Sequence, residues 1–109
     1  MKRVVESCLL ECTGDAASFH ASFRFPADLE VLAGHFPGHP LVPGVFLIEA
    51  VRLAAERIVG QPLRIARVRD AKFVAIVEPD STVEFTAVID GMRCRAEWTG
   101  GTRVDLEFG

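Results

Sequence analysis

One stretch constrains this chain more than any other: an apolar segment set between helix-punctuating residues. Pro43-Gly44 precedes it, and Gly60 followed by Pro62 closes it. The spacing predicts a helix that starts after Pro43-Gly44 and runs to Val59. Apolar side chains at positions 45–48, 50, 51, 53–55, 58 and 59 cover most of its circumference. A helix apolar nearly all round must be buried on most sides. With 109 residues, the length of one domain, that burial has to come from the flanking segments.

Those segments alternate with period two. Phe19, Ala21, Phe23 and Phe25 alternate with Ser18, His20, Ser22 and Arg24, giving a strand over 17–25 with one apolar face. Strand-like content over 4–11, with a turn at Thr13-Gly14-Asp15, makes an opening hairpin with it. Val83, Phe85, Ala87 and Ile89 form one face of a later strand, and Asp90-Gly91 signals a hairpin. Met92, Cys94, Ala96 and Trp98 face inward from the next strand. Beyond Gly100-Gly101, Val104, Leu106 and Phe108 do so from the last. A longer strand, Leu63 to about Val77, loses its alternation at the charged stretch 67–70, where a bulge is expected. The expected fold is α+β: five or six antiparallel strands curved around one helix, in a single domain over 1–109.

Composition narrows the function. A net charge of −3 argues against a nucleic-acid binder that relies on overall positive charge. No apolar run approaches the roughly 18 residues of a membrane span. Met1-Lys2-Arg3 is not followed by a signal-peptide pattern, since Glu6 and Glu11 interrupt it; a cytoplasmic location is expected. Cys8, Cys12 and Cys94 are an odd number in no metal-like spacing and read as small apolar fillers, so neither a disulfide framework nor a zinc site is indicated, and no metal or cofactor is expected.

Before the helix lies Gly34-His35-Phe36-Pro37-Gly38-His39-Pro40-Leu41-Val42-Pro43-Gly44-Val45, a stiff, irregular backbone rich in proline and glycine. Glu49 follows in the first turns of the helix. The segment from Gly34 to Gly38, the Pro43-Gly44-Val45 turn and Glu49-Ala50, with 14 positions from His35 to Glu49, resemble the signature of the 3-hydroxyacyl-[acyl carrier protein] dehydratases of the hotdog fold. Asp70-Ala71-Lys72-Phe73 and Pro79 resemble the strand that follows the helix in that family. The resemblance implies a hotdog fold and dehydration of a 3-hydroxyacyl thioester, with His35 as base and Glu49 as acid. It also implies that the Gly44 amide binds the thioester carbonyl, and that Phe36, Pro37 and Val45 contact substrate. The implied partners are an acyl carrier protein presenting a 4'-phosphopantetheine-linked substrate and a second copy of the chain, in a homodimer or an oligomer of dimers.

The chemistry suits these residue types. Histidine is a base at neutral pH, a carboxyl group in an apolar site can keep a proton to donate, and a helix start offers free N–H groups to an enolate oxygen. Other readings stand beside these. Glu49, Arg52 and Glu56 share one helix stripe, so a solvated ion pair would explain them without catalysis. His39 reads as an ordinary loop residue and His20 as part of a polar strand face. The chain departs from housekeeping members at Leu53, at Val74-Ala75 and at Pro79-Asp80-Ser81, and resembles compact dehydratases of specialised pathways such as aryl-polyene synthesis. Six of its twelve basic residues fall between Arg52 and Lys72; Arg64, Arg67, Arg69 and Lys72 are candidates for carrier docking if a bulge brings them to one rim. A hotdog thioesterase using Glu49 and a non-catalytic binding or dimerisation module are the competing functions.

Overall fold

The structure, a computed structural model, describes residues 1–29, 32 and 41–109. Its elements are α1 (Lys2–Ser7), β1 (Leu9–Asp15), β2 (Ser18–Arg24), α2 (Gly44–Val59), β3 (Ile65–Lys72), β4 (Thr82–Asp90), β5 (Arg93–Trp98) and β6 (Arg103–Phe108). The six strands form one antiparallel sheet in the order β1-β2-β4-β5-β6-β3. The sheet curves around α2, as expected of the hotdog fold.

Alternation decides which face of each strand meets the helix. Phe19, Ala21 and Phe23 of β2, Phe85 and Ala87 of β4, Cys94, Ala96 and Trp98 of β5, and Val104, Leu106 and Phe108 of β6 are all buried. Phe85 and Trp98 are paired residues of β4 and β5, and their rings stand 4.6 Å apart, while Phe25 meets Phe46 of the helix at 6.2 Å. Each aromatic buried this way contributes about 1.5–3 kcal/mol by removal of apolar surface from water. α2 packs over β1, β2, β5 and β6 and ends at Gly60, whose N–H donates to the Glu56 carbonyl at 2.9 Å and whose φ of 75° turns the chain out of the helix.

Four local expectations are corrected. The segment expected as a strand over 4–11 opens with α1, which buries Val5 against the core and packs on α2; tertiary contact there outweighs the β propensity of Val4-Val5. The first hairpin turns at Ala16-Ala17, with Asp15 opposite Ser18, because Asp15 Oδ1 accepts the N–H groups of Ala17 (2.9 Å) and Ser18 (3.2 Å). Gly14 stays in β1, pressed against Phe19, with φ 118° and no room for a Cβ. Met92 belongs to the turn between β4 and β5 and is exposed.

The strand expected to reach Val77 ends at Lys72, and the apolar run from Phe73 to Val77 leaves the sheet. The expected bulge is present twice in β3, between Ile65 and Arg67 and between Val68 and Asp70.

Candidate active site

The start of α2 is built as an open donor site. Pro43 is its N-cap, in extended conformation, and brings no side-chain acceptor to the first turn. The Phe46 N–H is satisfied by the Pro43 carbonyl at 2.9 Å, whereas those of Gly44 and Val45 have no acceptor among the described residues. Gly44 borders an apolar cleft of about 270 Å³, lined with it by Leu41, Val42, Pro43 and Leu47 on one side and by Phe73 to Val77 on the other. The far wall is tied down by the Val42 N–H to the Val77 carbonyl (2.9 Å) and by the Val74 N–H to Oγ1 of buried Thr102 (3.1 Å). The Phe73 ring lies over Gly44, only 2.7–2.9 Å from where a Cβ would stand. Within this chain, the group that approaches Gly44 closely is the Phe73 ring. Val45 is half exposed beside it.

Glu49 points elsewhere. It lines a second cleft with Lys2, Arg52, Glu56, Pro62, Leu63, Arg64 and Ile65. Its carboxylate accepts from Arg52 twice over: Nε donates to Oε1 at 2.7 Å and to Oε2 at 2.9 Å, and Nη2 to Oε2 at 2.6 Å. The opposite edge of the guanidinium, Nη1, donates to Glu56 Oε2 at 2.7 Å and to the Leu63 carbonyl at 3.1 Å. Glu56 Oε2 also accepts the Leu63 N–H at 2.9 Å, so the backbone of one residue clamps both charges. The shared stripe of Glu49, Arg52 and Glu56 is thus an ion-pair network, but a buried one: side-chain exposures are 12%, 7% and 20%. The expectation of a solvated pair is corrected by the segment after the helix, which folds back over it. The bond to Glu49 is the chief cause raising the Arg52 pKa. At Glu56 burial pushes upward, but the Leu63 N–H and Arg52 outweigh it and hold the carboxyl below its ordinary value.

His35, Phe36 and Pro37, with His39, lie outside the described residues. Gly44 and Glu49, both described, line different clefts of one chain. Among the basic candidates, the two bulges reset the parity that a straight strand would impose. Arg67 pairs with Glu107 and Lys72 with Arg103, on the outer face of the sheet, and both Arg67 (3.9 Å) and Arg69 (3.6 Å) reach the Glu107 carboxylate. Arg64 instead donates to the Gly109 carbonyl at 3.1 Å. Sequence reasoning missed Phe73 as a wall of the cleft, and it paired Arg52 with Glu49 without foreseeing that the pair is buried. The apolar run after a charged strand was the available signal for the first, while the 49/52/56 spacing signalled the pair and not its burial.

A six-stranded antiparallel sheet wrapped on a long buried helix, with an apolar cleft at the start of that helix, defines a hotdog-fold protein. The family model described as ApeI-like, ApeI dehydratase, matches residues 11–103. The chain belongs to that family, within the hotdog-fold 3-hydroxyacyl-[acyl-carrier-protein] dehydratases. The enzyme of that name, FabZ, from Fusobacterium nucleatum is 30% identical over 103 residues, covering 89% of this chain and 73% of the relative. FabZ of Latilactobacillus sakei is 33% identical over 72 residues, covering 60% of this chain but only 51% of the relative, so the match spans about half of that enzyme. The solved dehydratase heterocomplex ApeI:P from Xenorhabdus doucetiae shares the fold, with a TM-score of 0.80 at 17% identity over 92% of this chain and 95% of that one.

Proposed function

We propose that the chain dehydrates a 3-hydroxyacyl thioester, carried on the 4'-phosphopantetheine arm of an acyl carrier protein, to the trans-2-enoyl thioester and water. The observation that carries this reading is the uncapped start of α2 opening on an apolar cleft, in a chain of the ApeI-like dehydratase family. The thioester carbonyl accepts from the Gly44 N–H, where the helix dipole also favours the developing enolate oxygen. His35 takes the C2 proton, the C3–O bond breaks, and the Glu49 carboxyl proton joins the departing oxygen to make water. Imidazolium and carboxylate remain, and one proton returned through solvent resets both. Phe36, Pro37 and Val45 contact the substrate beside Gly44. The site takes no metal and no cofactor, and a carrier-bound substrate places the reaction in the cytoplasm.

Because Glu49 and Gly44 line different clefts of one chain, the complete site lies between two copies, with the carboxylate of one serving the histidine loop of the other. Two further features favour a dimer. β3 is a sheet edge with free backbone groups, and Val68, which shares a face with buried Leu106, is 43% exposed. The solved ApeI:P assembly is a heterocomplex, so a different chain in the second position is the outcome that competes with a homodimer.

The test is one 3-hydroxyacyl thioester assayed for both enoyl product and free thiol. Enoyl product without thiol release is expected; thiol release would make the protein a thioesterase. His35→Ala should abolish dehydration with the fold intact. Glu49→Gln should cost at least ~10²-fold, and a variant within a few-fold of the parent would remove Glu49 from the mechanism.

A further inference from the structure

We infer that Arg52 is a positioning residue that governs whether the Glu49 carboxyl group holds a proton, and that Glu56 with the Leu63 peptide is the anchor that keeps Arg52 in place while it does so. The inference rests on the role of Glu49 as acid in the proposed dehydration and adds a control on it. An arginine side chain stays charged at any accessible pH and presents its N–H groups in a rigid fork. Held by that fork at 2.6–2.9 Å, both oxygens of Glu49 are acceptors. A carboxyl group in this state has no proton to give to a leaving hydroxide. Protonation of Glu49 therefore has to loosen its bonds to Nε and Nη2.

The other edge of the guanidinium explains how this happens without losing the arginine. Nη1 is bound to Glu56 Oε2 and to the Leu63 carbonyl, and Glu56 Oε2 is held in turn by the Leu63 N–H. None of these contacts involves Glu49. When Glu49 takes a proton, Arg52 keeps a charged partner and stays buried, so the network carries one carboxylate per guanidinium instead of two. Glu56 is thus a counter-charge matched to one state of Glu49 and in excess in the other. Among the described residues, the remaining charged side chains that line this cleft are Lys2 of α1 and Arg64 of the segment between α2 and β3. Both are cations.

The opposite signs of Arg52 and Glu56 provide the test. The titration of Glu49 is followed by carbon-13 signals of its side-chain carboxyl, assigned by their loss in Glu49→Gln, in the parent protein, Arg52→Gln, Arg52→Lys and Glu56→Gln. In parallel, kcat/KM for a 3-hydroxyacyl thioester is measured against pH. Loss of the guanidinium in Arg52→Gln should move the Glu49 midpoint, and the catalytic limb that follows it, to higher pH by about one unit or more. Arg52→Lys should restore part of the shift. Glu56→Gln should move both the other way. Lowered melting temperatures with unmoved midpoints would reduce Arg52 to a structural role and overturn the inference; Arg52→Lys supplies that comparison if Arg52→Gln does not fold. A carboxyl midpoint that shifts while the catalytic limb stays put would leave Arg52 in control of Glu49 and remove Glu49 as the acid. Absence of dehydration in the parent protein would overturn the proposed reaction alone, since the carboxyl titration is read without it.

Discussion

At Glu56 two opposed effects meet. Burial disfavours its charge, while the Leu63 N–H and the Arg52 guanidinium favour it, and the net result is a pKa below the ordinary carboxylate value. A group with a depressed folded pKa binds fewer protons in the folded than in the unfolded chain. Its contribution to stability is therefore present above the unfolded carboxylate pKa and is lost as pH falls through the folded value. Glu56→Gln should cost about 1–3 kcal/mol at neutral pH. The difference from the parent protein should shrink as the pH is lowered through the carboxylate range. Urea denaturation at neutral and acidic pH measures both, and an equal difference at the two would show that the charge of Glu56 is not what stabilises the fold. The helical spacing of residues 49, 52 and 56 was legible in the sequence as a shared stripe. Their burial was not, because the partner that seals them is the Leu63 peptide, placed by the return of the chain after Gly60 rather than by any local pattern.

The same division holds for whole elements. α2 and the strands β2, β4, β5 and β6 follow from period alone, since each buries one face and the alternation names that face. Turns and ends were read less well, because single contacts decide them: Asp15 moves the first turn by capturing two N–H groups, and Phe73 leaves the sheet to lie over Gly44. The turn before β4 is another such case. Asp80 has φ 68°, a left-handed conformation that aspartate tolerates better than most residues. Its Oδ1 accepts from Arg24 Nη2 (3.0 Å) and from the Ala27 N–H (3.1 Å), and its own N–H donates to the Phe25 carbonyl at 2.8 Å. Asp80 thus fastens the β4 turn to the start of the segment that leads to His35. Asp80→Ala should lose the acceptor and strain the backbone, lowering stability by about 1–3 kcal/mol. Asp80→Gly keeps the conformation and should cost less, and Asp80→Asn least of the three. Thermal melts of the three variants check the order; Ala and Gly melting together would show that the φ angle carries no cost.

At the scale of the molecule, the sheet is wider than the helix that fills it. Six strands spaced by about 4.8 Å span more than twice the ~10 Å of a helix with its side chains, and α2 packs over β1, β2, β5 and β6. This leaves the helix-side face at β3 open, with Val68 exposed, and in the proposed dimer the helix of a second copy would cover it. Val68→Asp should therefore weaken self-association, and sedimentation of that variant as a dimer at micromolar concentration would put the interface elsewhere. Pairing along the β3 edge uses backbone groups and leaves the outer face of the strand open. There the two bulges gather Arg67 and Lys72, with Arg69 beside them, and Arg67 and Arg69 share the Glu107 carboxylate at 3.9 and 3.6 Å. Such loose, exposed pairs contribute little to stability, which would leave the arginines free to meet the carrier protein of the proposed reaction. In a chain with net charge −3 that attraction has to be local. Docking acts on encounter and not on bond making, so Arg67→Glu with Arg69→Glu should raise KM for a carrier-bound substrate by roughly tenfold with kcat little changed. A small pantetheine thioester makes no contact with this face and should respond to neither substitution. If both substrates lose efficiency alike, the basic face supports the fold or the site itself and carrier docking lies elsewhere.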